Sequence, residues 1–201
     1  MITNPILDRR EILKSIILNP EKYLIITGLA GPARDAAALT DDGGNIFTMA
    51  GCMGAAVSMG LGMALAAPNR QVLVITGDGE LMMNLGSLAS VATLQPSNLS
   101  IVCIDNGCHG ETGGQTGHTS HRTDLEVVAR GTGFSATMTL SEPLQFAQAA
   151  EFLERSAAPR FLLCRVMDGP PTAYKRDIDP AACRLRFKAH VDATAQSPDR
   201  T

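Results

Sequence analysis

Residues Gln71–Leu94 read QVLVITGDGELMMNLGSLASVATL. The opening QVLVIT is an apolar, β-branched run of strand length that does not strictly alternate, as expected of a strand buried on both faces of a parallel sheet. Gly77-Asp78-Gly79 ends the run, and a helix-like segment is expected over Met82–Leu94. The glycines permit a tight turn with exposed amides at a helix N-terminus, where a diphosphate fits. Asp78 adds a hard carboxylate oxygen of the kind Mg²⁺ takes together with phosphate oxygens and water. Taken alone, the tripeptide is also the composition of a plain β-turn.

The next buried run, Leu99–Asp105, ends in Asn106, twenty-eight positions beyond Asp78 (106 − 78). One helix and one strand separate the two residues, so their side-chain oxygens can emerge at neighbouring strand ends, where open α/β sheets bind ligands. The following stretch, Asn106–Thr123 (NGCHGETGGQTGHTSHRT), lacks helix or strand periodicity. Loops of that length in compact domains are functional or disordered, and a functional loop is the reading here.

Further strands are expected at Lys22–Thr27 and Arg160–Val166, and further helices at about Pro5–Leu18, Pro32–Leu39, Gly54–Ala66, Asp124–Thr132 and Glu142–Ser156. Strands alternating with helices imply a three-layer α/β/α domain with a doubly wound, mainly parallel sheet. At 201 residues the chain holds one such domain, expected over residues 1–188, with a frayed polar tail over 189–201.

A formal charge of −3 with 18% charged residues offers no basic footprint for nucleic acid or anionic membranes. The Gly- and Ala-rich stretch Met49–Ala67 suits a buried helix better than a membrane span, and the charged N-terminus lacks a signal-peptide core. The five cysteines show neither a C-x-x-C pair nor zinc-like spacing, so reduced thiols in a cytoplasmic protein are expected.

GDGELMMNLGSLASVATL and IDNGCHGETGGQ together resemble the thiamine-diphosphate (TPP) enzymes, whose motif is GDG followed about two dozen residues later by Asn. The likeness runs from about Tyr23 to Val166 and is greatest to the beta subunits of sulfopyruvate and phosphonopyruvate decarboxylases. The resemblance implies that Asp78, Asn106 and the main-chain carbonyl of Cys108 hold Mg²⁺. It also implies that Gly77, Gly79, Glu80, His109, Gly110 and Glu111 surround the cofactor. Gly51-Cys52-Met53-Gly54 is similar to the family's Gly-Ser-Met-Gly segment, in which the Gly51 carbonyl and Met53 amide would meet the pyrimidine and the Met53 side chain would wedge the cofactor. On the residues alone, Met53 also reads as a core methionine at a helix start. Glu80 and Cys52 depart from the family's usual Ser or Ala and Ser.

The family activates its cofactor through a Glu on a separate pyrimidine-binding domain, and neither Glu80 nor Glu111 can reach the pyrimidine end from the diphosphate end. The resemblance therefore implies a pyrimidine-binding alpha subunit in an α₂β₂ or larger assembly, or a homodimer in isolation, acting on a small 2-oxo acid such as sulfopyruvate or phosphonopyruvate. His109 and His118 are candidate acid–base groups, with His121 and Arg122 behind them. An acetolactate-synthase-like carboligase and a non-enzymatic phosphate-binding regulatory module remain alternatives. The scattered cysteines argue against an iron–sulfur relay.

Overall fold

The structure, a computed structural model, describes residues 5–195. In chain order the elements are α1 (Arg9–Ile16), β1 (Tyr23–Thr27), α2 (Ala30–Thr40), β2 (Ile46–Thr48), α3 (Ala56–Ala66), β3 (Gln71–Gly77), α4 (Asp78–Met82), α5 (Gly86–Leu94) and β4 (Leu99–Asp105). They continue with β5 (Cys108–His109), β6 (Gln115–Thr116), α6 (Leu125–Thr132), β7 (Ala136–Leu140), α7 (Phe146–Arg155), β8 (Arg160–Arg165) and α8 (Pro180–Ala195).

Six strands form one all-parallel sheet in the order β2-β1-β3-β4-β8-β7. The expected doubly wound, three-layer architecture is observed. Side-chain alternation along the strands builds a core on each face. Leu24, Val72, Val74, Ile101 and Phe161 pack with α3, α5 and α6 on one side. Ile25, Leu73, Ile75, Val102 and Leu162 pack with α1, α2 and α7 on the other. The chain leaves β1 for β2 on one side and returns to β3 on the other, so the topological switch point, the usual place for a ligand crevice, lies between β1 and β3.

Three expectations are corrected. Met82–Leu94 is not one helix: α4 stops at Met82 and α5 starts at Gly86. Between them the backbone tightens to three-residue bonds, while Asn84 Nδ2 turns away to donate to the Gly54 carbonyl (3.1 Å) and Ser87 Oγ caps the Asn84 carbonyl (2.7 Å). The Asn106–Thr123 loop contains a small antiparallel pairing, Cys108 with Thr116 and His109 with Gln115. Finally, residues 189–195, expected to fray, complete α8, which docks through Cys183 and Phe187; Phe187 meets Phe47 edge to face at 5.7 Å. The QSPDRT end lies outside the described residues.

Candidate active site

The C-terminal ends of β1, β3, β4 and β8 open into one cleft of about 640 Å³. Gly31 and Pro32 line it from the start of α2, Gly77–Glu80 from the start of α4, Asn106 and Cys108–Thr112 from the long loop, and Asp168–Pro171 from beyond β8. The apolar strand β3 must end where Gly77 caps α4, and this puts Asp78 in the first turn of that helix, 4% exposed.

Asp78 and Asp105 meet beneath the cleft. Thr119 Oγ1 lies 2.7 Å from Asp105 Oδ1 and 3.2 Å from Asp78 Oδ2. Burial, and next the charge of Asp105, push the Asp78 carboxyl up to about 6. Asp105 is also raised by burial, although it accepts from Gly107 N (3.1 Å) and has Arg165 at 3.7 Å. Two buried carboxylates sharing one hydroxyl oppose each other's ionisation, a cost that a bound cation would relieve.

Asn106 and Cys108 stand across from Asp78. Asn106 Nδ2 donates to Cys108 Sγ (3.0 Å) and Asp168 Oδ1 (3.1 Å), and the Cys108 thiol donates to the same Asp168 oxygen (3.0 Å). The amide oxygen of Asn106 takes no hydrogen bond among the described residues, which leaves it available to a metal. The Cys108 thiol is held at about 12, first by burial and then by Asp168, so its sulfur stays protonated and is a poor metal ligand. Among the described residues no group of three or more His, Cys, Asp or Glu is arranged to hold a metal. A cation here therefore has to draw on Asp78, an amide or main-chain oxygen and the ligand's own oxygens, a donor set that suits Mg²⁺ and a diphosphate.

Glu80 lies under the β1–α2 turn, 4% exposed, where its Oε2 accepts from Leu29 N (3.1 Å) and its Oε1 has no hydrogen-bond partner among the described residues. Burial raises its carboxyl. Gly28 makes this approach possible, since a Cβ there would fall 1.6 Å from Glu80 Oε2. His109 packs on Gly79, where a Cβ would come within 2.8 Å of its Nδ1.

Met53, Gly77, Asp78, Gly79, Glu80, Asn106, Cys108, His109, Gly110 and Glu111 all line the cleft. Gly51 and Cys52 sit exposed in the turn just before Met53, and His118 is exposed outside the cleft walls. Sequence reasoning missed Asp168, Thr119, Arg9, Arg34 and Arg176. Asp168 carried a usable signal, because it follows a buried strand just as Asp78 and Asn106 do.

Residues 32–164 match the family described as thiamine pyrophosphate enzyme, C-terminal TPP binding domain. The chain belongs to that family. It is 41% identical over 180 residues to the sulfopyruvate decarboxylase subunit beta of Methanocaldococcus jannaschii, covering 89% of this chain and 94% of that one. It is 34% identical over 173 residues to the phosphonopyruvate decarboxylase of Streptomyces viridochromogenes, covering 86% of this chain but 43% of that protein. A solved structure from Mycobacterium smegmatis, described as a thiamin diphosphate-dependent enzyme, superposes with a TM-score of 0.59 at 19% identity over 80% of this chain and 31% of that one, a likeness of fold. No helix among the described residues is long and apolar enough to cross a membrane.

Proposed function

We propose that this chain is the TPP- and Mg²⁺-binding subunit of a decarboxylase for a small anionic 2-oxo acid of the sulfopyruvate or phosphonopyruvate type, completed by a pyrimidine-binding alpha subunit. The observation that carries the reading is the convergence of Asp78, Asn106 and the glycine turns of α2 and α4 on one cleft at the switch point. The relatives named as decarboxylases, three of them beta subunits, support the reaction class and the need for a partner.

When bound, TPP supplies a carbanion nucleophile and an electron sink for the departing CO₂, and the protein supplies orientation and electrostatics. Asp78, the Asn106 amide oxygen and the Cys108 carbonyl would hold Mg²⁺, which would offset the charge of the diphosphate. The turn at Gly77–Gly79 presents amides to the same phosphates. Met53 reaches the cleft wall and supports the ring system, with Gly51 and Cys52 in the same turn. His109, held against Gly79 at the rim of the metal loop, is placed to move a proton at the substrate, with His118 as a more distant second. Glu80 is committed to Leu29 N, and Glu111 sits in the metal loop three residues past Cys108, so both stay at the diphosphate end. The activating Glu is thus left to the partner.

The test is to purify the chain alone and with its partner subunit and to measure CO₂ release from a panel of 2-oxo acids. Release is expected only from the pair, and fastest with sulfonate- or phosphonate-bearing substrates. Full activity from the lone chain would overturn the partner requirement.

A further inference from the structure

Among the described residues the cleft is lined by three guanidinium groups, of which two have a carboxylate partner. Arg9 is taken up by Asp35 at 2.9 Å, both side chains being buried. Arg34, one turn into α2, lies a long 3.4 Å from Glu111, and both are about half exposed. Arg176, between β8 and α8, appears in no ion pair among the described residues, and its Nη1 is shut away from solvent without a hydrogen-bond partner. Burial first, and then the charge of nearby Arg34, disfavours its cationic form. A guanidinium nitrogen held out of water without an acceptor is costly unless a ligand supplies one.

We propose that Arg34 and Arg176 form a second seat, separate from the Asp78–Asn106 metal seat, for the terminal phosphate of thiamine diphosphate. The inference rests on the function proposed above and adds two residues to it. Charge argues for the phosphate: a diphosphate and the Asp78 carboxylate together carry more negative charge than one divalent cation cancels. Helix α2 argues the same way. Its N-terminus has no side-chain cap and no acidic residue in the first turn, and Gly31 and Pro32 line the cleft, so its positive end is left for an anion. The planar fork of Arg matches phosphate oxygens in pairs.

The segment carrying Arg176 is pinned to the middle of α2 and to the turn that follows it. Thr172 N donates to Asp35 Oδ1 (2.8 Å), and Asp177 N donates to Asp42 Oδ2 (2.9 Å). Arg176 is thereby set beside Arg34 before any ligand arrives. The long, half-exposed Arg34–Glu111 pair is weak enough for a phosphate to displace.

The experiment uses the full chain with its partner subunit, as wild type, Arg34→Gln, Arg176→Gln and Arg176→Lys, in saturating Mg²⁺. Dissociation constants for thiamine diphosphate and thiamine monophosphate are measured by calorimetry, and the KM for the 2-oxo acid is measured at saturating cofactor. Each Gln variant is expected to weaken the diphosphate by roughly tenfold or more and to erode the preference over the monophosphate, with KM unchanged. Arg176→Lys, keeping the charge without the fork, should fall between and verifies that the segment still folds. Unchanged cofactor affinity in both Gln variants would overturn the proposal, and a raised KM with unchanged cofactor affinity would hand the seat to the substrate's anionic tail. Failure of the wild type itself to bind thiamine diphosphate would overturn the functional reading, and this inference with it.

Discussion

Asp78 and Asp105 are joined by a single hydroxyl: Thr119 Oγ1 stands 2.7 Å from Asp105 and 3.2 Å from Asp78. One proton cannot serve both carboxylates, and the shorter contact goes to Asp105. Asp78 is left as the buried, poorly compensated charge at the mouth of α4, which is what a divalent cation relieves.

Its protonation therefore sets a pH dependence in the metal-free protein. The Asp78 carboxyl moves from an ordinary 3.8 to about 6 on folding, so the folded state holds the proton more tightly. Its contribution is neutral below about pH 4, turns unfavourable as pH rises to 6, and then levels off at about 3 kcal/mol. Thermal melts should show the metal-free wild type losing stability against Asp78→Asn across that window. Mg²⁺ with TPP should erase the difference, and parallel pH profiles for the two proteins would contradict the assignment.

Thr119→Val keeps the shape and removes the hydroxyl. Asp105 then loses its shortest hydrogen bond, and the metal-free protein should lose about 1–3 kcal/mol by denaturant titration. Thr119→Ser should restore most of that loss.

Gly28→Ala drives a methyl group into the Glu80 carboxylate, 1.6 Å away. A stability loss of about 2 kcal/mol or more is expected, because the buried Glu80 and the β1–α2 turn must both shift. The double variant Gly28→Ala, Glu80→Ser should be more stable than Gly28→Ala alone. Simple additivity of the two losses would show that the close approach is not what constrains Gly28.

His109→Ala should lower kcat by about a hundredfold or more while leaving the cofactor dissociation constant within about threefold. His118→Ala, exposed outside the cleft, should change kcat little. Equal losses from both would move proton transfer away from His109.

The layers of this fold were readable in the sequence because β1, β3, β4 and β8 are apolar on both faces and end in Gly, Asp or Asn turns. Strand β7 was not. Its ATMTL is half-exposed at the sheet edge, and its threonines read as a connection. The break after Met82 was hidden as well, because Asn84 leaves the helix to bond a carbonyl thirty positions earlier (84 − 54). That Asp78 and Asn106 line one cleft was legible from spacing, since a helical connection and one buried strand put them at neighbouring strand ends, even though that connection is two helices rather than one. Arg9, Arg34 and Arg176 were not, because the docking of α1 and the path of the chain beyond β8 bring them together, and neither leaves a local pattern.

Asp78 is proposed to anchor Mg²⁺ and, through it, the diphosphate. Calorimetric titration of TPP into the chain with its partner subunit, in Mg²⁺ and in EDTA, tests it for wild type and Asp78→Ala. Wild-type binding is expected to weaken by roughly a hundredfold in EDTA, and Asp78→Ala binding to be weak and indifferent to Mg²⁺. Tight, Mg²⁺-dependent binding by Asp78→Ala would contradict it.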